Sequence, residues 1–344
     1  MCELSIIVPV YKAEKYIERT VLALLTQEEV DYEILLVDDG SPDKSGLISD
    51  MLSEKYENVR CIHINNSGPG HARNVGIEEA KGEYVAFCDS DDIPANNMYG
   101  ILLGVMKLYN TQLSLCDIYT ERDKSNFGFP WKGNQYFEGI DCLSKLLASM
   151  LGNLSDNDSS TPVWGSSVRS IYVKEILLKN YIRFPEDIHF AEDLVFNVRY
   201  LIHCSSCFIL DKVLYRYTLN EDSLMNAYKK YNPNMFEERK KLVNYILNEI
   251  EPLNMNELMV RFNTSVRCYF HECIGNAARS IMQYGYMYAF QEIKSITNDK
   301  DVHFVFSNTD VTYGNRKNIA YNLIKREQNF ILLLYYAFRF RYLL

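Results

Sequence analysis

The sequence predicts an α/β fold with a mostly parallel sheet, followed by a helical C-terminal region. Over the first hundred residues, short apolar runs typical of buried strands alternate with segments whose apolar residues recur at helical spacing. This alternation is typical of strand–helix–strand units, whose parallel strands are covered on both faces. From about residue 222 the strand pattern fades, so we expect a first domain over residues 1–221 and a helical region over 222–344.

The predicted elements follow one another in a regular order. In the first domain they are a strand at 5–10, a helix at 14–27, strands at 32–37 and 59–64 separated by a helix at 45–56, a helix at 71–80 and a strand at 84–88. Another helix begins at residue 192, and apolar residues spaced by three and four indicate a long amphipathic helix over 257–283. The polar segments 120–136 and 152–162 are predicted loops.

Composition excludes several classes of protein. The chain has 344 residues, of which 47% are hydrophobic, and a net charge of −9, so it is too apolar for a disordered protein and too acidic for a general nucleic-acid binder. The first apolar run lacks a basic flank and a cleavage site, so we expect a cytoplasmic protein with reduced cysteines. Cys204 and Cys207 form a CxxC pair that we interpret as core cysteines, because zinc would need two more ligands.

The C-terminal segment differs in charge from the rest of the chain. Residues 316–344 carry six basic side chains against Glu327 alone, a net +5, which leaves −14 on the remainder. The tail, 329–344, is apolar and aromatic with Arg339 and Arg341 near its end. Such a segment suits the anionic inner face of the cell membrane, where the protein would be peripheral. The alternative is a helix that docks on its own domain or on a homodimer partner.

Acidic side chains follow two of the predicted strands. Asp89, Asp91 and Asp92 come directly after the fourth strand, where three carboxylates repel one another unless a cation or hydrogen-bond donors neutralise them. They are either ligands for Mg²⁺ or Mn²⁺ or an acidic turn that caps the next helix. Asp38 and Asp39 follow the second strand and either accept hydrogen bonds from a ribose or base or form a β-turn.

Other candidates are more ambiguous when taken singly. Tyr11 could stack on a base or pack as an ordinary aromatic residue, and Arg73, after a glycine-rich turn, could face a diphosphate or start a surface helix. Glu192 and Asp193 at a helix start are either caps or a general base on a rigid element. Arg216 could balance a diphosphate or be a solvated strand residue.

The order and spacing of these clusters resemble family 2 glycosyltransferases of the GT-A fold, especially bacterial enzymes of capsular and exopolysaccharide biosynthesis. The resemblance covers roughly residues 3–225, through the stretches SIIVPVYKAEKYI, YEILLVDDGSPD, NNSGPGHARNVGIEEAKGEYVAFCDSDD, VWGSS to RFPEDIHFAEDLVFN, and VLYRYTLNEDSLM. The chain departs from the family at Lys12, where relatives usually carry Asn after the Tyr.

The resemblance implies a role for each matching residue of the nucleotide pocket. The base would be lined by Pro9, Val10 and Tyr11, and Asp39 would read the uracil edge. Asp38 and Glu14 would support that pocket.

The remaining roles concern the diphosphate and the reaction. Arg73 would lie near the diphosphate. Asp89, Ser90 and Asp91 match the DXD element, with Asp91 on the metal side and Asp89 nearer the ribose. Asp92 would lie beside the donor sugar. Asp193 would be the catalytic base, with Glu192 and Arg216 as candidates for a supporting role.

The implied function is transfer of a sugar from a UDP-sugar, with inversion, to a hydroxyl of a growing or polyprenyl-diphosphate-linked glycan, with Mn²⁺ or Mg²⁺ as cofactor. Two alternatives stay open: a non-catalytic nucleotide-sugar-binding or assembly subunit, and a sugar-phosphate nucleotidyltransferase. The second should show a glycine-rich loop after the first strand, and VYKAEKY has no glycine. The sequence does not predict the sugar, the acceptor or the linkage.

Overall fold

A computed structural model describes residues 2–155, 162–220, 230–307 and 316–340, without the side chains of 316–318. The chain divides into two compact units, the first formed by Met1–Gly152 with Ser159–Asn220 and the second by Asn153–Asp158 with Glu221–Leu344. The predicted boundary at residue 221 falls in 221–229 and so lies outside the described residues, as do 156–161 of the predicted second loop.

The first unit begins with four parallel strands joined by helices. These strands are β1 (Leu4–Val10), β2 (Tyr32–Asp38), β3 (Val59–His63) and β4 (Tyr84–Phe87). They lie in the order β3-β2-β1-β4, so that the chain starts in the middle of this half of the sheet. Ile6, Ile7, Leu35 and Leu36 have no exposed surface, which fits strands that are covered on both faces.

The rest of the sheet is mixed in direction. Its strands are β5 (Ile93–Pro94), β6 (Leu113–Thr120), β7 (Ser125–Asn126), β8 (Gln135–Glu138), β9 (Ser170–Val173) and β10 (Ser206–Tyr217). Beyond β4 the order continues β9-β6-β10-β5, where β9 runs antiparallel to both β4 and β6, and β10 runs parallel to β6. The short strands β7 and β8 pair with β6 and β10, respectively. The predicted loop at 120–136 therefore contains β7 and the start of β8.

Helices connect these strands. They are α1 (Ile17–Leu24), α2 (Ser45–Lys55), α3 (Pro69–Glu79), α4 (Met98–Tyr109), α5 (Ala148–Leu151) after a π-helical stretch at Cys142–Leu147, α6 (Lys174–Lys179) and α7 (Glu192–Ile202). Gly76 lets α3 pack against β1, because a Cβ at this position would lie 2.3 Å from Cγ2 of Ile7. Cys204 and Cys207 are buried, as the sequence predicts for core cysteines.

The described residues of the second unit form helices and short connections without a strand, as the sequence predicts. Its helices are α8 (Met235–Ile250), α9 (Asn256–Arg279), α10 (Ile281–Tyr284), α11 (Tyr286–Thr297), α12 (Lys300–Ser307), α13 (Arg316–Lys325) and α14 (Asn329–Arg339). The predicted long helix is α9, whose apolar stripe from Leu258 to Ala277 is buried. Across the described ranges, no helix is long and apolar enough to cross a membrane.

Candidate active site

The predicted site residues converge because their strands are neighbours. β1, β2 and β4 are parallel and adjacent, so their carboxyl ends meet at one edge of the sheet. Tyr11 follows β1, Asp38 ends β2, Asp39 comes directly after it, and Asp89 follows β4. Ligands of open α/β sheets bind outside this edge. The topology therefore brings together clusters that are separated in the sequence.

Asp39 holds the glycine-rich turn in place. Its buried carboxylate accepts hydrogen bonds from the backbone N–H groups of Ser67, at 2.7 Å, and Gly68, at 2.9 Å. Gly68 has φ +93°, a left-handed conformation that glycine adopts without steric cost, and Pro69 starts α3 directly after it. Asp39 thus fixes the start of the helix that carries Arg73.

Asp38 and Glu14 support the turn that follows β2. Asp38 Oδ1 accepts the backbone N–H of Ser41 at 3.2 Å, and Asp38 Oδ2 lies 2.9 Å from Nδ1 of His63. Glu14 Oε2 accepts the backbone N–H of Lys44, just before α2, at 3.1 Å. Both side chains therefore order the backbone beside Tyr11.

The end of β1 offers an accessible aromatic ring. Pro9 and Val10 are the last residues of β1, and Val10 is buried, whereas the Tyr11 side chain is 43% exposed. The ammonium of Lys12 lies 5.0 Å from the centre of the Tyr11 ring. Lys12 itself has φ +52°, the left-handed region that Asn tolerates better than Lys. The left-handed backbone at position 12 therefore explains why relatives usually carry Asn where this chain has Lys12.

We expect Lys12→Asn to stabilise the protein by roughly 1 kcal/mol or less, because Asn relieves strain at a left-handed residue. Denaturant unfolding of both proteins measures the change. Lys15→Asn, three residues on, is the control for loss of a lysine charge. An unfolding midpoint that does not move, or moves equally in both variants, would contradict this account of the position.

Arg73 lies at the centre of three carboxylates. Its side chain, on α3, is 5% exposed; Nη2 donates to Asp89 Oδ1 at 2.9 Å and Nη1 to Glu192 Oε1 at 3.1 Å. Nη1 also lies 3.6 Å from Asp193 Oδ1, and the guanidinium stands over the ring of Phe184. Asp193, Asp89 and Glu192 raise the pKa of Arg73 against the effect of burial. Arg73 therefore joins the acidic cluster after β4 to the acidic pair at the start of α7.

Asp193 is held in a fixed orientation. The backbone N–H and the hydroxyl of Ser167 donate to its two carboxylate oxygens, each at 3.1 Å. Burial raises the pKa of Asp193 to about 6, the nearby Glu192 and Asp89 add to the rise, and Arg73 opposes it. A carboxylate with this pKa is ionised at neutral pH yet more basic than an exposed aspartate. This is the environment that a general base requires.

The segment after β4 is tied to the end of β10. The hydroxyl of Tyr215 donates to Asp92 Oδ2 at 2.9 Å and accepts the N–H of Asp89 at 3.1 Å, while the N–H of Thr218 donates to Asp92 Oδ1 at 2.8 Å. Asp92 is 1% exposed. Its carboxylate therefore orders the loop and has almost no surface for a ligand, which is at odds with the predicted contact to the donor sugar.

Asp91 is oriented differently from Asp92. Its side chain keeps some exposure, and Oδ2 accepts a hydrogen bond from Asn220 at 2.9 Å. Its carbonyl accepts bonds from Arg19 and Thr218, and the carbonyl of Ser90 accepts one from Thr20 at 3.0 Å, so the backbone is held on both sides.

The charge of this cluster favours a cation. Burial raises the pKa of Asp91, with a further contribution from Asp89, and burial raises that of Asp92 well above its usual range, with Asp89 and Asp91 adding to it. Arg73 compensates Asp89, whereas Asp91 and Asp92 repel each other. An oxygen donor set with excess negative charge fits a hard divalent cation.

Arg216 lies on β10 with a half-exposed side chain. Its Nε is 3.1 Å from Glu121 Oε1, and its guanidinium stands near the Tyr119 ring. The structure therefore gives this arginine a partner at the end of β6.

Comparison with known proteins adds to this geometry. A family model described as Glycosyl transferase family 2 matches residues 5–212. The chain belongs to this family. The matched region contains nearly all of β1, the strands β2 to β9, most of β10 and every acidic residue of the site. Membership of this family excludes the alternative of a sugar-phosphate nucleotidyltransferase.

Relatives of this family 2 protein occur in several bacteria. It is 33% identical to an uncharacterized glycosyltransferase, EpsJ of Bacillus subtilis, over 238 residues, which are 69% of this chain and 66% of EpsJ. It is 30% identical to glycosyltransferase GlyG of Streptococcus pneumoniae over 228 residues, 65% of this chain and 73% of GlyG. The chain thus matches about two-thirds to three-quarters of the length of these relatives.

Solved structures confirm the predicted fold. Residues 1–349 of Staphylococcus aureus TarS, in complex with UDP-GlcNAc, superpose with a TM-score of 0.67 at 20% identity, covering 98% of this chain and 91% of that one. A complex of a Pyrobaculum calidifontis mannosyltransferase with GDP-Man and Mn²⁺ has a TM-score of 0.53 at 13% identity, covering 98% and 86%. At these identities the likeness establishes the α/β fold of this family 2 chain.

Several residues that order the site of this family 2 protein escaped the sequence analysis. Ser167, Tyr215, Thr218 and Asn220 act through hydrogen bonds to the carboxylates of the site and to the backbone of the segment after β4, and their residue types alone do not mark them. Trp164, three residues before Ser167, is half exposed and stacks on Phe127 with ring centres 4.6 Å apart. Trp164 and Ser167 both belong to the stretch VWGSS on which the family resemblance draws, but the sequence shows neither the exposure of the ring nor the bonds to Asp193.

Proposed function

We propose that this chain transfers a sugar from a UDP-sugar to a hydroxyl of a lipid-linked or growing polysaccharide, with inversion at the anomeric carbon. The observation that carries the proposal is the environment of Asp193, a partly buried carboxylate with a pKa of about 6 that Ser167 orients at the start of α7. Support for UDP comes from TarS, whose structure has been solved with UDP and with UDP-GlcNAc.

Asp193 acts as the general base. As the acceptor hydroxyl attacks the anomeric carbon, its proton passes to a carboxylate oxygen of Asp193, and the bond from that carbon to the diphosphate oxygen breaks. The electron pair of that bond leaves with UDP, and attack from the opposite face inverts the configuration. Ser167 holds the carboxylate in place during this transfer, and a base in this position is typically worth about 10²–10⁴ in rate.

The nucleotide end of the site is assigned to the carboxyl ends of β1 and β2. Tyr11 offers its exposed ring to the uracil, with Pro9 and Val10 behind it. Asp39 orders the turn at 66–68 beside the base, while Asp38 and Glu14 support the turn after β2.

The diphosphate end is assigned to the segment after β4. Asp91 would hold Mn²⁺ or Mg²⁺, which supplies Lewis-acid stabilisation of the charge on UDP. Asp89 lies nearer the ribose, and Ser90 links the two aspartates. Asp92 positions this loop through Tyr215 and Thr218, and Arg73 positions Asp89 and Asp193 relative to each other.

We expect UDP to bind at least tenfold more tightly with Mn²⁺ than with EDTA, and Asp91→Asn to lose that difference. Isothermal titration calorimetry with UDP, followed by UDP-GlcNAc and other UDP-sugars, measures the effect. Asp123→Asn, an exposed aspartate in a loop, is the matched control. If NAD bound and no UDP compound did, the assignment of the nucleotide would be wrong; binding of UDP-sugars without turnover would favour the non-catalytic alternative.

We further propose that α14 binds the surface of the membrane. One face of this helix is buried in the second unit, through Leu332, Leu333, Tyr336 and Ala337. The opposite face is also apolar but exposed, and consists of Phe330, Ile331, Leu334 and Phe338. Lys325, Arg326 and Arg339 flank it, while Arg341 lies outside the described residues. A basic helix with an exposed aromatic face suits an anionic lipid surface.

We expect the double variant Phe330→Ser/Phe338→Ser to lose binding to vesicles of phosphatidylglycerol, while the parent protein floats with them and not with phosphatidylcholine. Phe304→Ser, at an equally exposed phenylalanine of α12, is the control. Vesicle flotation and light scattering are measured together. The contrary outcome is a dimeric parent protein that binds neither lipid and that the double substitution dissociates. That result would contradict membrane binding and assign the exposed face of α14 to a homodimer partner.

A further inference from the structure

We infer that the sheet edge formed by β3 carries a zinc site built from Asp50, Cys61 and His63. Cys61 and His63 are two residues apart on β3, so their side chains lie on the same face of the strand. Asp50 comes from α2, which packs on that strand. Two regular elements, and not a loop, therefore present the three candidate ligands.

The distances between the ligand atoms suit a tetrahedral ion. Nε2 of His63 lies 2.9 Å from Asp50 Oδ1 and 3.7 Å from Cys61 Sγ, and all three atoms lie within 4.8 Å of one another. With zinc bonds of ~2.0–2.3 Å, neighbouring ligands of a tetrahedron are roughly 3.3–3.6 Å apart. Small side-chain rotations are enough to admit the ion, and water would take the fourth position.

Asp38 gives the imidazole the orientation that a metal ligand needs. Its Oδ2 lies 2.9 Å from Nδ1 of His63, and the Asp38 side chain is buried. Metal-ligating histidines usually donate their second ring N–H to a carboxylate, which fixes the tautomer and leaves the other nitrogen for the metal. Here that other nitrogen points to Asp50 and Cys61.

The charges around the site also favour a divalent ion. Asp50 and Asp38 raise the pKa of His63 through hydrogen bonds to its ring. Burial raises the pKa of the Cys61 thiol to about 12, and Asp50 and Asp38 add to the rise. Zn²⁺ would displace the thiol proton and neutralise the negative charge of the two carboxylates. The set of nitrogen, sulfur and oxygen ligands prefers Zn²⁺ to Mg²⁺ or Mn²⁺.

Cobalt substitution tests the site without reference to sugar transfer. We expect one equivalent of Co²⁺ to give tetrahedral visible bands and a near-ultraviolet thiolate charge-transfer band, both abolished by excess Zn²⁺. Cys61→Ser should lose the charge-transfer band, whereas Cys268→Ser, at another half-buried cysteine, should keep it. Oxygen ligands at Asp91 cannot produce a thiolate band, so binding of Co²⁺ there does not interfere.

Affinity provides the second measurement. Competition with a chromophoric chelator measures the affinity of the protein for Zn²⁺. This affinity should fall at least tenfold in His63→Gln and about 10–100-fold in Asp38→Asn, which removes the carboxylate that orients the histidine. Calorimetry in buffers of different ionisation enthalpy should show proton release on binding, which Cys61→Ser reduces. Absence of a thiolate band in the parent protein, or its retention in Cys61→Ser, would overturn the proposal and leave His63 as a hydrogen-bonded bridge between Asp38 and Asp50.

Discussion

Asp193→Asn is expected to lower the rate of sugar transfer by about 10²–10⁴-fold and to leave UDP affinity unchanged. Asparagine keeps the size of the side chain and can still accept a hydrogen bond from Ser167, so the start of α7 should be preserved. It cannot take a proton from the acceptor hydroxyl. Release of UDP in the presence of acceptor measures the rate, and calorimetry with UDP measures the affinity.

Two comparisons make the Asp193 experiment specific. Glu192→Gln neutralises the adjacent carboxylate, which contacts Arg73, and should reduce the rate far less than Asp193→Asn. Asp123→Asn, at the exposed loop aspartate, should change nothing. Retained turnover in Asp193→Asn, or an equal loss in Glu192→Gln, would contradict the assignment of the base.

The pH dependence follows from the raised pKa of Asp193. The base must be ionised, so the rate should rise as pH increases through about 6 and then level off. The folded-state pKa exceeds the unfolded value, so ionisation costs stability: the contribution of Asp193 is fully present below the unfolded pKa and is lost as pH rises through about 6. The free energy of unfolding of Asp193→Asn, measured relative to that of the parent, should therefore increase as pH rises through about 6.

The first half of the sheet was predictable because each strand is an apolar run covered on both faces. β1 to β4 and α1 to α3 lie within a few residues of their predicted positions. α1 begins at Ile17 and not at Glu14, because Lys12 is left-handed and the carboxylate of Glu14 is engaged by the backbone of Lys44. Local pattern is enough where a strand is buried by its own neighbouring helices.

The rest of the sheet depends on pairing between distant segments, which local pattern does not encode. β9 is four residues long and takes its place only by pairing antiparallel with β4 and β6. β8 pairs with β10, about 70 residues further on, from within a segment that is polar and rich in glycine. Burial and hydrogen bonding in the folded chain decide these strands.

The site shows the same division. The acidic clusters were visible in the sequence because charge after an apolar strand is unusual, and the parallel topology brings them to one edge. The ion pairs that organise them are not visible in the sequence, because Arg73 and Glu192 are 119 residues apart and the family resemblance implies only a place near the diphosphate for Arg73. A buried guanidinium that three carboxylates surround is a property of the fold alone.

Arg73→Met is expected to lower the free energy of unfolding by about 3 kcal/mol at neutral pH, because it leaves three partly buried carboxylates without their cation. Methionine fills a similar volume against Phe184, so most of the loss is electrostatic. The pKa of Asp193 should then rise further in the folded state, because Arg73 no longer opposes the rise, and its ionisation above the unfolded pKa destabilises the protein. Denaturant unfolding at pH 7 and at pH 5 should show that the penalty shrinks in acid.

Three further measurements separate this account from a simple packing defect. Arg216→Met removes an arginine whose ion pair with Glu121 is partly exposed, and should cost no more than about 1 kcal/mol. Adding Glu192→Gln to Arg73→Met should recover part of the lost stability, because one fewer carboxylate is left unpaired. In the folded Arg73→Met protein, the midpoint of the increase in rate with pH should lie at a higher pH than in the parent, since Asp193 has lost the cation that favours its ionised form. A penalty that is independent of pH and unaffected by Glu192→Gln would show that Arg73 acts through packing and does not set the charge of the base.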